Sequence, residues 1–579
     1  MGQCKSKPAA PPPREFLPAK AEEESPSSKH ESLYSSTRSE MRLTSHMVRE
    51  RNADVWDYYE EIRRLGEGSI GCVSLVKRKK GTEGGSAYTH NESALARIFG
   101  CACMGGRRRK ATSSTRSANP IANNFLKEKR KSAQPSLHSE EYALKSIQLR
   151  LVEKKYLDEL RNEIIVLRSL DHPNIVKAYE VYETRRNIYV LMEYCSGGDL
   201  YTRAPYTESQ AVNIVRQLTS AIAHMHKNGI VHRDIKFENI MFESKDDPRA
   251  KIKVLDFGLS KKFMPGMSQI MTEGVGTVYT MAPQVFQGLY TSKADCWSIG
   301  VIAFILLCQE KPFRGKNRAQ VVRNISKCRY NFDAPGWAHV SSEAKKFVSA
   351  LLVLNPSQRL TAENALKHPW LKKEEFPVDN EEADSSHKSL MTSVKDNILS
   401  YASMSELKRI AAVVVAHKSS AAEILDMREA FDKYDTEKDG VISFDEFKLA
   451  LAKFNYTDEE LNDMFSRMDV NCNGVVLYTE FIAATLELHG RVEEKRLAEA
   501  FDLMDDDDSG FISKENLIKL LGNDVPPERI EKLIRQADFD GDGMISFEDF
   551  LTMFRKDNSL VVKEEINEGL DESVISGTD

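Results

Sequence analysis

At 579 residues, with 41% hydrophobic and 29% charged side chains, the chain exceeds one hydrophobic core and has the composition of soluble globular domains, three or more of them. The net charge of -6 hides an asymmetry: the first 150 residues are rich in Lys and Arg and the C-terminal third in Asp and Glu, which fits cation binding and argues against nucleic acid as a partner. Nine cysteines without a CxxC pair or a Cys/His cluster exclude a disulfide scaffold and a zinc module, and the longest apolar run, residues 301–308, is too short to span a bilayer.

The chain starts Met1-Gly2-Gln3-Cys4-Lys5-Ser6, which fits the N-myristoylation pattern M-G-x-x-x-[ST]. One myristoyl chain binds membranes marginally, so Cys4 as a palmitoylation site and Lys5 and Lys7 facing anionic headgroups supply the second signal. The expected location is cytoplasmic, peripheral on the cytosolic face of a membrane; a fortuitous start sequence is the alternative. Residues 8–50, with Pro11, Pro12, Pro13 and a Ser-rich run, read as a disordered tether, and folded sequence is expected from Tyr58.

From there a series of motifs appears in fixed order. Gly66, Gly68 and Gly71, followed by Val73, match G-x-G-x-x-G-x-V, a strand-turn-strand whose glycines let backbone close over ATP phosphates. Leu65, Val73 and Ala143 are expected to line the nucleotide site, and Lys145 of Tyr142-Ala143-Leu144-Lys145 to meet the α- and β-phosphates. Between these strands lies a Gly/Ser/Asn-rich insertion at 80–138 carrying Arg107-Arg108-Arg109-Lys110. It reads as a disordered loop, with a docking or phosphorylation element as the alternative; Arg109 three residues before Thr112 makes Thr112 a candidate autophosphorylation site.

Glu163 is the expected ion-pair partner of Lys145, on the following helix. Met192, Glu193 and Cys195 read as the hinge that holds adenine, and Asp199 as an acid near the ribose or a basic substrate residue. His232-Arg233-Asp234-Ile235-Lys236-Phe237-Glu238-Asn239 is the catalytic-loop pattern. Asp234 would accept the proton of a substrate hydroxyl, Lys236 would neutralise the transferring phosphoryl, and Asn239 and Asp256 (of Asp256-Phe257-Gly258) would hold Mg²⁺. A lysine two residues after the catalytic Asp is the serine/threonine pattern. Glu273 is placed to pair with Arg233 as an activation-loop phosphate otherwise would. Two departures from pattern occur. Gln284 replaces the usual Glu of Ala-Pro-Glu, expected opposite Arg359, and the stretch after Asp199 is short.

An acidic linker, 372–386, leads into 387–417, where Leu390, Met391, Val394, Ile398, Tyr401, Met404, Leu407, Ile410 and Val414 recur at three- and four-residue spacing, predicting one amphipathic helix. Four loops of the pattern D-x-[DN]-x-[DN]-G-x5-E follow, each expected to bind Ca²⁺ through positions 1, 3, 5, 7 and 12. The first offers Asp435, Glu437, Asp439, the Val441 carbonyl, Ser443 and Glu446; the second Asp469, Asn471, Asn473, the Val475 carbonyl and Glu480. The third offers Asp505, Asp507, Ser509, the Phe511 carbonyl and Asn516; the fourth Asp538, Asp540, Asp542, the Met544 carbonyl and Asp549. Only the first two end in the bidentate Glu.

Taken together these motifs resemble the calcium-dependent protein kinases of plants and protists. The resemblance implies a multidomain α+β chain, a bilobal protein-kinase fold followed by an all-α calmodulin-like domain. The boundaries are 1–57 for an acylated extension, 58–371 kinase, 372–421 autoinhibitory junction, 422–563 calmodulin-like domain and 564–579 acidic tail. It further implies phosphorylation of protein Ser/Thr hydroxyls at basic sites, with ATP, Mg²⁺ and Ca²⁺. The chain's own junction helix would be the inhibitory partner, captured on calcium binding, and no separate calmodulin would be needed. A calcium-responsive pseudokinase scaffold, or a kinase driven by external calmodulin, are the alternatives.

Overall fold

The computed structural model describes residues 47–51, 53–67, 71–79, 141–152, 157–247, 250–257, 260–262, 271, 277–372, 381–421, 423–486, 494–522 and 525–555. Gly2, Cys4, Gly68, the 80–138 insertion with Thr112, Gly258, Glu273 and the 564–579 tail therefore lie outside the described residues.

The first lobe is a twisted sheet in the order β1-β5-β6-β4-β3-β2. Its strands are β1 (Arg49–Arg51), β2 (Tyr59–Glu67), β3 (Gly71–Arg78), β4 (Glu141–Gln148), β5 (Ala178–Glu183) and β6 (Asn187–Glu193). Strands β3 and β4 pair antiparallel, with Val73 opposite Lys145, so the ends of the insertion meet in one hairpin-like ladder. One helix, α1 (Leu157–Arg168), carries Glu163. Ordered structure is present from Met47 among the described residues, ahead of the expected Tyr58. Met47 and Val48 are buried, and β1 adds a parallel strand to the β5 edge, with Arg49 opposite Glu180.

The second lobe is helical. Helix α2 (Glu208–Lys227) starts in a capping box between Thr207 and Gln210 and buries one face. Helix α3 (Lys293–Cys308) is buried from Ala294 to its end, so the apolar run at 301–308 is a core helix. Among the described residues no helix is long and apolar enough to cross a membrane. Helices α4 (Ser342–Leu351) and α5 (Ala362–Leu366) also belong to this lobe, and Trp297, Trp337 and Trp370 are fully enclosed in it.

The predicted single junction helix is two helices, α6 (Glu381–Ala402) and α7 (Glu406–Lys418). They break at Ser403-Met404-Ser405. Met404 stays buried, so the apolar stripe continues across the turn, which is why periodicity alone reads as one helix. Residues 381–386, expected as linker, are helical. The remaining helices form helix–loop–helix hands: α8 (Leu425–Tyr434), α9 (Phe444–Leu451), α10 (Asp458–Met468), α11 (Tyr478–Thr485), α12 (Glu494–Met504), α13 (Lys514–Leu521), α14 (Pro527–Arg535) and α15 (Phe547–Arg555). Their loops join in pairs through two-residue strands: β7 (Val441–Ile442) with β8 (Val476–Leu477), and β9 (Phe511–Ile512) with β10 (Ile545–Ser546). Val394, Ile398, Tyr401, Leu407, Ile410 and Val414 share one core with Phe431, Phe481, Phe501 and Phe550. The junction is thus packed inside the hands.

Candidate functional site: a phosphate-transfer cleft and four cation loops

The cleft is assembled by strand register. Ala143 lies opposite Met192 and Lys145 opposite Val190, which places the lysine beside the hinge strand. Gly66 pairs with Val73, and Leu65 and Val73 remain half-buried on the cleft side. A Cβ on Gly71 would sit 1.8 Å from the Ser146 carbonyl oxygen, so this glycine is required by the approach of β3 to β4 as well as by any phosphate.

Lys145 Nζ donates to Glu163 at 2.7 Å and to Asp256 at 3.2 Å. Burial opposes the ammonium, but Glu163 and then Asp256 hold its pKa above the ordinary lysine value; in return, against the same burial penalty, Lys145 holds Asp256 low. Lys236 donates to Asp234 at 2.6 Å, Thr277 donates to the other Asp234 oxygen at 2.7 Å, and Asn239 donates to the Asp234 carbonyl at 3.0 Å. Arg233 (φ 70°) and Asp256 (φ 63°) are held in the left-handed region, the strain concentrated at the chemistry. Asp295, in the first turn of α3, braces this loop: it accepts from the backbone N–H groups of His232 and Arg233, each at 2.9 Å, and lies 2.9 Å from His226 Nε2. Asn239 and Asp256 offer hard oxygen donors on either side of Asp234, a donor set that fits Mg²⁺.

Two expected residues differ in detail. Asp199 spends Oδ1 on its own turn, accepting from Tyr201 N, Thr202 N and Thr202 Oγ1. Glu193 turns its carboxylate behind the hinge, 3.0 Å from Lys253, which also meets Glu243 at 3.6 Å; Glu243 in turn accepts Arg428 of α8 at 2.7 Å. The Glu193 side chain thus joins a buried network reaching the first hand.

Gln284 makes the expected hydrogen bond, accepting from Arg359 at 3.1 Å, and its amide donates to the Leu354 carbonyl. Arg359 is 2% exposed and directs further N–H groups to the carbonyls of Lys293 and Val353. Burial without a carboxylate lowers its pKa to about 10. A glutamate would restore charge pairing but set a carboxylate against the Leu354 carbonyl, so the amide suits the site. Gln284→Ala removes one acceptor of a buried guanidinium and is expected to cost about 1–3 kcal/mol in chemical denaturation; an unchanged midpoint would show that Gln284 anchors nothing.

All four loops share one backbone: position 4 (Lys438, Cys472, Asp508, Gly541) and the glycine at position 6 (Gly440, Gly474, Gly510, Gly543) have positive φ. In the first loop Asp435 accepts from the Asp439 and Gly440 amides at 3.1 and 3.0 Å, and Glu446 from the Glu437 and Ser443 amides, both at 2.9 Å. The second repeats this through Asp469 and Glu480. Burial pushes Asp435 up to about 7 and Glu480 well above the usual carboxylate range. Carboxylates packed this way fit a divalent cation, whose charge would offset that burial. The third loop satisfies itself. Asn516 donates to Asp507 at 3.4 Å and Ser509 to the Phe511 carbonyl at 3.0 Å, so two expected ligands act as donors and two others accept from them. In the fourth, oxygens of Asp538, Asp540 and Asp542 lie within 4.8 Å of one another, and Asp549 accepts from Ser546 at 2.6 Å.

Residues 131–371 match the protein kinase domain family, and 424–486 and 494–555 each match the EF-hand domain pair. The kinase match begins at residue 131, within the 80–138 insertion and past β2 and β3; the structure brings those two strands into the same sheet as β4. Similar proteins include calcium-dependent protein kinase 5 of Plasmodium falciparum (isolate 3D7), 33% identical over 420 residues that cover 70% of this chain and 72% of that one. Calcium-dependent protein kinase 7 of Oryza sativa subsp. japonica is 34% identical over 427 residues, 72% of this chain and 77% of that one. Calcium-dependent protein kinase 34 of Arabidopsis thaliana is 34% identical over 437 residues, 72% and 80%.

Proposed function

The chain belongs to the calcium-dependent protein kinase family, and from that premise we propose how its residues divide the work. It is a serine/threonine protein kinase with EF-hands on the same polypeptide. In this reading ATP is the phosphate donor. Lys145, steadied by Glu163, grips its α- and β-phosphates; Asp234 orients the substrate hydroxyl and accepts its proton; Lys236 balances charge on the moving phosphoryl. Asn239 and Asp256 would hold Mg²⁺, which supplies charge neutralisation at the phosphates when bound. The single observation that carries this is the closed contact from Lys145 to both Glu163 and Asp256, beside an Asp234 already held by Lys236 and Thr277. Gathering these groups also speaks against the pseudokinase scaffold, since a scaffold has no need of the constellation.

The calcium switch is proposed to act through the junction. Without calcium, α6 and α7 would occupy or distort the cleft; with it, the EF-hands hold them. The state described here supports the second half: Ile410, Val413 and Val414 are fully buried among the EF-hand helices. Calcium shifts the balance only by its differential affinity for the two states. Substrates would be proteins with basic Ser/Thr sites, and no external calmodulin would be required; purified calmodulin added to the isolated chain should leave the rate unchanged.

Acylation at Gly2 and Cys4 is proposed to hold the chain on the cytosolic face of a membrane. A single myristoyl chain binds with about 10⁴ M⁻¹, so Cys4→Ser is expected to shift most of the protein to the soluble fraction; stable membrane fractionation of that variant would refute the two-signal anchor.

A further inference from the structure

We propose that residues 47–51 form a clasp that ties the third EF-hand to helix α1, so that docking of the EF-hand domain tightens the Lys145–Glu163 pair through the N-terminal segment. The proposal rests on the calcium-activated kinase reading above, and goes beyond it in assigning a coupling role outside the junction.

Five consecutive residues divide their side chains between the two halves of the molecule. Met47 is fully buried in the core that the junction shares with the EF-hands, and Val48, next to it, is buried in the kinase core. Alternation along β1 then sends Arg49 and Arg51 to one side and Glu50 to the other. Arg49 Nη1 donates to the Asp502 carbonyl at 2.6 Å, and Nη2 donates to the Asp505 carbonyl at 3.0 Å and to the Asp508 carboxylate at 2.8 Å. Arg51 reaches Asp502 at 3.1 Å and Asp508 at 3.4 Å, and stacks its guanidinium 4.7 Å from the Tyr58 ring centroid. The two arginine side chains are 2% and 6% exposed. On the opposite side Glu50 accepts from Arg168, the last residue of α1, the helix that carries Glu163.

The third hand is built to receive these arginines. Asp502 lies at the end of its first helix, α12, and Asp508 at the fourth loop position, whose left-handed backbone (φ 54°) turns the side chain away from the loop ligands. A guanidinium presents a planar fork that meets a carboxylate and a carbonyl together, which an ammonium cannot. Two arginines this deeply buried need their acidic partners; removing the partners leaves charges that the interior does not tolerate. Strand β1 therefore holds its register on β5 only while the third hand stands beside it. A second tie closes the same corner: Lys418, at the end of α7, meets Glu180 of β5 at 3.4 Å. When the EF-hand domain leaves, β1 loses Arg49 and Arg51 contacts, Glu50 loses its fixed position, and the end of α1 loses its tie. The Lys145–Glu163 contact sits on that helix.

The test uses the full-length chain and reads two quantities: peptide phosphorylation across a calcium titration, and amide hydrogen exchange in α1. Arg49→Glu is expected to lower the calcium-stimulated rate at least tenfold and speed exchange in α1, while calcium binding by the first two hands is retained. The exchanged pair Arg49→Glu/Asp508→Arg, at a site where Asp508 is 42% exposed, should recover the rate to within threefold. Glu50→Gln, which leaves the arginines alone, should speed α1 exchange with β1 still protected, and covers the case in which Arg49→Glu does not fold. Full stimulation of Arg49→Glu, a loss that Asp508→Arg does not recover, or α1 exchange unchanged in Glu50→Gln would each overturn the clasp. A wild-type chain that calcium does not stimulate would sink the calcium-activated reading instead; the clasp would then be decided by exchange alone, upheld if Arg49→Glu and Glu50→Gln both speed α1 exchange and overturned if either does not.

Discussion

Asp234→Asn is expected to lower phosphoryl transfer by about 10²–10⁴-fold while calcium binding stays at the wild-type level. Asparagine keeps the shape of aspartate, so the loop braced by Asp295 should survive. What is lost is the acceptor: one Asp234 oxygen takes Lys236 at 2.6 Å and the other Thr277 at 2.7 Å, and an amide can offer an oxygen to only one of them and cannot take a proton from a hydroxyl. The EF-hand loops share no residue with this constellation. Steady-state kinetics on a peptide, with calorimetry for calcium, separate the two effects; near-normal turnover in the variant would remove Asp234 from the mechanism.

The second large effect is expected at the first EF-hand pair. Glu446→Gln and Glu480→Gln should each move the calcium midpoint of activation by about tenfold or more, roughly 1.4 kcal/mol each. These acids close loops that touch the kinase. Thr479, beside Glu480, donates both its amide and its hydroxyl to Asp171, each at 2.8 Å. In the first loop Lys227 of the kinase lies 3.7 Å from Asp439, and a Cβ on Gly440 would overlap the His172 ring. Drawing Glu480 onto a cation therefore moves a helix that starts on the kinase surface. Asn516 already donates to Asp507, so Asn516→Ala should change the midpoint little. Asp549 falls between, because the three aspartates of its loop converge. Activity curves for the four variants measure this order; if Asp549→Ala abolished activation and Glu446→Gln left it intact, the switch would belong to the second pair.

The parts of this molecule readable from sequence are those whose partners are close in the chain. Asp234, Lys236 and Asn239 lie in one loop, and each EF-hand brings its ligands within a dozen residues, so spacing alone carries the chemistry. Gln284 with Arg359 was readable too, because pattern names both partners. Strand β1 was not. Arg49, Glu50 and Arg51 end a polar, Ser-rich stretch, and their partners Glu180, Asp502 and Arg168 are distant in sequence, so nothing local marks them as buried. The junction break at 403–405 was hidden for the opposite reason, since the apolar stripe runs on through it. Glu193 shows the limit of motifs: it ends β6, and its carboxylate faces Lys253, toward the Glu243–Arg428 contact with the EF-hand domain.

The central claim, a phosphotransferase switched by its own calcium loops, is tested most directly by phosphorylation of a basic Ser/Thr peptide by the purified chain across a calcium titration, with no calmodulin present. The account predicts low transfer in chelator and a steep rise with calcium that follows occupancy of the EF-hands. Equal transfer with and without calcium, or no transfer until calmodulin is added, would contradict it.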